Sequence, residues 1–157
     1  MKRTLPFLIV AIITIFAFTG CYSNKQPVYV NSVSAMIDSL QFNATGSQQA
    51  GFLADTATHN PQLLDIFAKT ILYTPGTAVL PSIQLTMPIS DGTYSIPGQV
   101  SAKIITARSG SAGTTAVSGQ IIVIRYAYGR IQGNFSFTCA DGTVVSGGQF
   151  IGVVGYP

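Results

Sequence analysis

The chain of 157 residues is long enough for one domain with a hydrophobic core, and only 8% of its residues are charged. Its net charge of +3 overstates how basic it is, because two of the eight basic residues, Lys2 and Arg3, lie in an N-terminal leader. The other six are scattered, which excludes a basic patch for nucleic acid. Glutamate is absent from the sequence, so a glycosidase site built from paired carboxylates is not expected.

Residues 1–20 are interpreted as a lipoprotein signal peptide. A basic start is followed by an apolar run over 6–18, which is shorter than the roughly 20 residues that a membrane-spanning helix needs. The leader ends in Phe18, Thr19 and Gly20, directly before Cys21. These residues resemble the lipobox that the lipoprotein signal peptidase cuts. A retained membrane anchor and an ordinary secretory peptide are the alternatives, but neither a second basic cluster nor an A-x-A-like cleavage site is present.

The lipobox resemblance implies that the sulfur of Cys21 receives a diacylglyceryl group with palmitate-type chains and that Cys21 begins the mature protein. Two or more acyl chains hold a protein stably on a membrane. Residues 21–30 are then the lipidated cysteine and its tether, and the membrane is a partner through this lipid. Residues 22–25 contain no acidic cluster resembling a surface-export signal. We therefore expect an outer-membrane anchor with the domain facing the periplasm.

Residues 31–157 are predicted to form one antiparallel β-domain. Runs of alternating apolar residues are separated by Gly, Pro, Asn, Asp and Ser, as in sandwiches and barrels. In chain order the runs are 32–42, 64–73, 82–87, 94–96, 100–108, 118–128, 131–139 and 143–154. Residues 47–58 fit either a short helix or a strand. We expect a sandwich or a barrel of about 8–9 strands.

Two details of these runs are more specific. Asp141-Gly142 lies between two alternating strands and predicts a tight hairpin, because both residues tolerate a positive φ. Gly147-Gly148 predicts a bulge in the returning strand. Residues 121–124 are apolar on both faces, which predicts a central strand covered on two sides.

A recurring pattern extends over nearly the whole mature chain. It consists of A-x-I-D-x-x-x-F-x-A, G-x-Y, S-G, I-x-G-x-F-S-F and G-x-F, found here at 35–44, 92–94, 118–119, 131–137 and 148–150. With this pattern the chain resembles small lipoproteins of unknown function that are abundant in Bacteroidetes. Ser39 departs from it, because members often have a glycine in that turn. The resemblance implies an all-β fold and brings no catalytic residues.

No residue pattern predicts catalysis, a metal site or a cofactor. His59 is interpreted as a loop residue, because no second ligand stands at metal-binding spacing. Cys139 shares the phase of the two preceding phenylalanines and is interpreted as a small buried hydrophobe rather than a nucleophile. Asp91 and Asp141 precede glycines in turns, where aspartate is usually structural. We therefore expect a protein that is not an enzyme.

The expected function is that of a non-catalytic, lipid-anchored envelope protein that binds or supports another envelope component. The alternative is a lipocalin-like carrier of a small apolar ligand, because a group of aromatic residues is available to line a cavity. These residues are Tyr126, Tyr128, Phe135, Phe137 and Phe150. Ser39 and Thr56 lie in D-S/T-apolar triplets that resemble O-glycosylation acceptors of Bacteroidetes, and they are candidate modification sites.

Overall fold

A computed structural model describes residues 30–55, 63–70 and 79–155, which form ten β-strands and no helix. The strands are β1 (Ser32–Ile37), β2 (Leu40–Thr45), β3 (Ala50–Asp55), β4 (Leu63–Lys69), β5 (Ser82–Pro88), β6 (Gly92–Ile96), β7 (Ser101–Ile105), β8 (Thr114–Ala127), β9 (Arg130–Cys139) and β10 (Val144–Val153). The prediction of an antiparallel all-β domain is confirmed. The ambiguous segment contains a strand, β3, and the Asp141-Gly142 turn joins β9 to β10 as predicted.

Nine of these strands form one nearly closed, barrel-like sheet in the order β2-β1-β10-β9-β8-β7-β5-β4-β3. The wall closes where the chain beyond β10 returns to β3, with Gly155 and Leu53 in a parallel bridge. The Ala54 N–H donates to the Gly155 carbonyl at 3.0 Å, and the Gly155 N–H donates to the Phe52 carbonyl at 2.8 Å. We call this junction the seam. β1 and β2 continue the sheet past it.

Asn31 stabilises the seam through hydrogen bonds of its backbone and its side chain. Its carbonyl accepts from the Gly46 N–H at 2.8 Å. Its side-chain Nδ2 donates to the Ala50 carbonyl at 3.1 Å, and its Oδ1 accepts from the Val153 N–H at 2.9 Å. One residue therefore ties together the start of β1, the start of β3 and the end of β10, which are distant in sequence.

The barrel wall bends at β8, because different parts of this strand pair with different neighbouring strands. Its first two residues pair with β7, and residues 119–123 pair with β6, which lies off the main strand order. Its register against β9 shifts twice, and such bulges increase the local twist. The prediction of a strand covered on both faces is wrong: Ile121 and Val123 are buried, but Ile124 is 51% exposed. The outer face of the sheet is open here, as antiparallel sheets allow.

The core is formed by the alternate side chains that point inward from the strands. Its largest fully buried members include Phe52, Leu64, Ile66, Ile83, Leu85, Met87, Ile104, Ile121 and Ile131. Apolar burial of this kind is the main favourable contribution to folding, at about 25 cal/mol per Å². The chain thus has the core that a domain without a disulfide needs, since Cys139 is a free thiol.

Glycines and phenylalanines of neighbouring strands pack together on the inner face of β9 and β10. Gly133 lies opposite Phe150, and Gly148 lies opposite Phe135. A Cβ added to Gly148 would stand 2.5 Å from the Phe135 ring, and one added to Gly133 would overlap the Phe150 ring. The I-x-G-x-F and G-x-F segments are therefore complementary, because each strand provides the glycine that the ring of the other strand requires. The predicted bulge is present, with the register shifting between Val145 and Gly148.

Candidate functional site

Two aspartates stabilise the turns at one end of the sheet. Asp38, in the turn between β1 and β2, donates its N–H to the Val144 carbonyl at 2.7 Å and accepts the Val144 N–H on its carboxylate at 3.0 Å. The carboxylate of Asp141 accepts the Thr143 N–H at 3.0 Å. That hydrogen bond holds the pKa of Asp141 below its usual value. Both carboxylates thus have structural partners.

Asp65 and Asp91 are also engaged by the fold. Asp65 of β4 accepts a 2.6 Å hydrogen bond from the Thr86 hydroxyl on β5. Asp91, in the turn before β6, accepts the Tyr126 N–H at 2.6 Å and so fixes that turn to the end of β8. The structural role predicted for Asp91 and Asp141 is therefore observed, and the same role extends to two aspartates that the sequence left unassigned.

Cys139 lies at the end of β9 and is 2% exposed. Burial, together with the negative charges of Asp141 and Asp38, raises the pKa of its thiol from 9.0 to about 11, and burial is the largest of these causes. A thiol in this environment stays protonated at neutral pH and is a poor nucleophile. The interpretation of Cys139 as a small buried hydrophobe agrees with this geometry.

The five aromatic residues proposed to line a cavity do not lie together. Phe135, Phe137 and Phe150 are buried, and the Phe135 ring stacks on the other two with centroids 6.0 and 6.4 Å apart. Tyr126 is only partly buried against the core. Tyr128 is fully exposed and takes a positive φ of 54° in the two-residue turn between β8 and β9. That turn lies beside the seam, where the Val154 N–H donates to the Gly129 carbonyl at 2.7 Å.

A concave site lies on the outer face of β3, β4, β5 and β7, and we call it the outer groove. Its volume is about 420 Å³, within the range of about 300–1,000 Å³ that is common for small-molecule sites. The turn before β3 also contributes to it, and the larger side chains that line it are Gln48, Gln49, Leu53, Phe67, Lys69, Gln84, Lys103 and Ile105. Four adjacent antiparallel strands fix the positions of most of these residues, so the groove is formed by the most regular part of the sheet.

The strand register arranges the groove in two rows. In the first row Phe67 lies opposite Gln84, which lies opposite Lys103. In the second row Lys69 lies opposite Ser82, which lies opposite Ile105. Each row therefore carries one apolar residue and one lysine, separated by two strand spacings or about 10 Å. Among the residues whose side chains the structure describes, the lining of the groove includes two lysines and no aspartate.

The outer groove was not predicted from the sequence. Residues 64–73 were interpreted as an apolar run, whereas in β4 the residues Leu64, Ile66 and Ala68 point inward and Phe67 and Lys69 point outward. The sequence signal for the groove was the alternation that places Phe67 on the same outward face as Lys69. Bringing it together with Lys103 also requires the pairing of β5 with β7, which skips β6 and cannot be read from the spacing of the runs.

The candidate glycosylation site Ser39 is an exposed residue of the turn between β1 and β2. Several other predicted positions lie outside the described residues. They are the leader with Phe18, Thr19 and Gly20, the lipidation site Cys21, the second glycosylation candidate Thr56, and His59.

Among the residues that the structure describes, no three His, Cys, Asp or Glu side chains are grouped so that they could hold a metal ion. The same residues include no helix of the length and hydropathy that crossing a membrane would take. In comparisons with known proteins, no family model, no curated protein and no solved structure matched the chain.

Proposed function

We propose that the protein is a non-catalytic binding protein that lipid at Cys21 holds on the cell envelope. The outer groove is the observation that carries the binding role, because it is a concave surface with apolar and charged side chains on a rigid sheet. The structural engagement of four aspartates and the inert Cys139 thiol support a role without chemistry. The lipobox resemblance supports anchoring, at an outer membrane of a Bacteroidetes-type bacterium and facing the periplasm.

Intact mass spectrometry of the natively expressed protein tests the anchor. We expect the mass of residues 21–157 increased by the diacylglyceryl group and its acyl chains, and recovery in the membrane fraction. The Cys21→Ser variant is the matched control and should lack both properties. An unmodified Cys21 in the wild-type protein would overturn the anchoring proposal. The same spectrum tests glycosylation, since a glycan mass should disappear in Ser39→Ala or Thr56→Ala.

The lipocalin-like carrier is the second candidate, and the barrel-like sheet supports it. Three of its five proposed cavity residues are stacked on one another in the core, which favours the envelope-binding role. Native mass spectrometry of the exported domain separates the two. A small apolar adduct that survives removal of the groove residue Phe67 would favour an interior carrier site, and an adduct lost with Phe67→Ser would favour the outer groove.

A further inference from the structure

We propose that the outer groove binds a small amphiphilic anion, a molecule with an apolar body and one carboxylate or other singly anionic head. The inference deepens the proposed binding function and rests on it. It assigns a ligand class to the groove from the side chains that line it, and it commits to a small molecule rather than a macromolecule.

The charge of the groove favours an anion. Lys69 and Lys103 approach the same concave surface from β4 and β7. Among the residues whose side chains the structure describes, no aspartate lines the groove. Asp65, which lies opposite Leu53 and two residues before Phe67 on β4, is outside this lining, and its carboxylate accepts the Thr86 hydroxyl at 2.6 Å. An anionic head placed between the two lysines is attracted by both.

The apolar side chains of the groove favour an apolar body on the same ligand. Phe67 is 44% exposed and Leu53 is 53% exposed, although both lie within strands of a well-formed sheet. Ile105 adds a half-buried aliphatic side chain next to Lys103 on β7. An inorganic anion would use the lysines alone, whereas an amphiphile covers these side chains and neutralises the lysines together.

The dimensions of the groove favour a small ligand. Its volume of about 420 Å³ lies on four strands, and the pairs Phe67 to Lys103 and Lys69 to Ile105 each span about 10 Å. A stable interface with a folded protein requires about 800 Å² on each partner, with a closely packed apolar centre. Gly51 leaves open space beside Phe67, since nothing stands within 4 Å of a Cβ added there. The apolar body of a small ligand has room at that position.

Isothermal titration calorimetry tests the proposal. The protein used comprises residues 21–157 with the substitution Cys21→Ser. The probes are dodecanoate and dodecyltrimethylammonium, which share an alkyl chain and differ in the sign of the head. We expect dodecanoate to bind once per chain and at least about tenfold more tightly than the cation. Lys69→Gln and Lys103→Gln should each weaken it about threefold, because such exposed ion pairs are modest.

Arg108→Gln is the matched control, because Arg108 is an exposed cation outside the groove, and we expect it to leave dodecanoate binding unchanged. Phe67→Ser should abolish saturable binding while circular dichroism shows an intact fold. Equal affinities for the two probes, or equal losses in Arg108→Gln and Lys103→Gln, would overturn the proposal. The titrated protein carries no lipid anchor. Absence of dodecanoate binding therefore leaves the proposal of lipidation at Cys21 unaffected, and absence of lipidation leaves the binding result unaffected.

Discussion

The paired glycines and phenylalanines of β9 and β10 show how single residues determine the local packing. Phe150 fits because Gly133 has no side chain, and the ring replaces the contact that a Cβ would make. Glycine in a strand loses backbone entropy on folding at a cost of about 0.5–1 kcal/mol, and burial of an aromatic ring offsets that cost. The residues that carry the lipoprotein resemblance therefore have a packing role in this chain.

At Gly133 we expect a substitution to alanine to lower the free energy of unfolding by about 1–3 kcal/mol, because the added methyl group would overlap the backbone carbonyl oxygen of Ile122 and the Phe150 ring. Gly51→Ala is the matched control. Gly51 is also a strand glycine, but a Cβ there meets nothing within 4 Å, so we expect its stability to stay equal or rise by up to about 1 kcal/mol. Urea unfolding measures both variants, and equal losses in the two would contradict the packing argument.

Cys139 gives the protein a pH dependence at the alkaline end. The charged thiolate is disfavoured in the folded state, so the pKa of about 11 exceeds the ordinary 9.0. The folded chain then holds its proton more tightly than the unfolded chain does. The stabilisation is complete below pH 9 and is lost as the pH rises towards about 11. We expect the urea midpoint to fall between pH 8 and pH 10.5 more steeply in the wild type than in Cys139→Ala.

Residue phase predicted the burial of Cys139 beside Phe135 and Phe137, because alternation along a strand directly reports the inner face. It does not apply to Tyr128, which stands in the turn after β8. Ile124 follows the phase, since it lies on the face opposite Ile121 and Val123, and the prediction was wrong because that outer face is not covered. Phase is informative only while the strand stays regular.

At the scale of elements, Asn31 is the connection that we expect to matter most for the seam. Asn31→Ala removes two side-chain hydrogen bonds that join three segments, and each such bond contributes about 1 kcal/mol. We therefore expect a loss of about 2–3 kcal/mol in unfolding free energy and faster hydrogen exchange at the Val153 amide. Asn43→Ala, at an exposed position of β2, is the control and should change stability by less than about 0.5 kcal/mol. Slow exchange at Val153 in Asn31→Ala would show that the seam holds without it.

The hairpins could be predicted from the sequence because their signals are local. Asp141-Gly142 needs only the alternation on either side of it. The divided pairing of β8 and the return of Gly155 to β3 are different, because each depends on which surfaces remain unpaired after the other strands have assembled. For this reason the sequence left sandwich and barrel open, and the groove that spans four strands could not be identified.

At the scale of the molecule, the seam and the turn at Tyr128 lie where the chain arrives from residue 30. The nine residue steps from Cys21 to Val30 reach at most about 30 Å. A chain anchored at Cys21 therefore keeps this side of the barrel near the bilayer, and the opposite end of β1 lies about 20 Å further along the strand. An exposed tyrosine beside Arg130 suits the interface between lipid and water.

Tryptophan fluorescence tests this orientation, since the chain has no tryptophan of its own. The chain from Cys21 is coupled to maleimide lipids in vesicles, and the buried Cys139 does not compete for the reagent. We expect brominated lipids to quench the Tyr128→Trp variant more than Leu40→Trp, whose position is 76% exposed at the start of β2, opposite the far end of β1. Equal quenching would show that the tether allows free rotation.

The pairing of β1 with β10 also determines when, during synthesis, the sheet can be completed. Asn31 and Val153 are 122 residues apart, so a chain synthesised from its N-terminus exposes the apolar face of the first hairpin while nearly all the rest is made. Contacts of such long range close slowly. The nascent domain therefore gains its native wall only after its last strand has been synthesised. Until then the apolar face of the first hairpin stays exposed and available to chaperones.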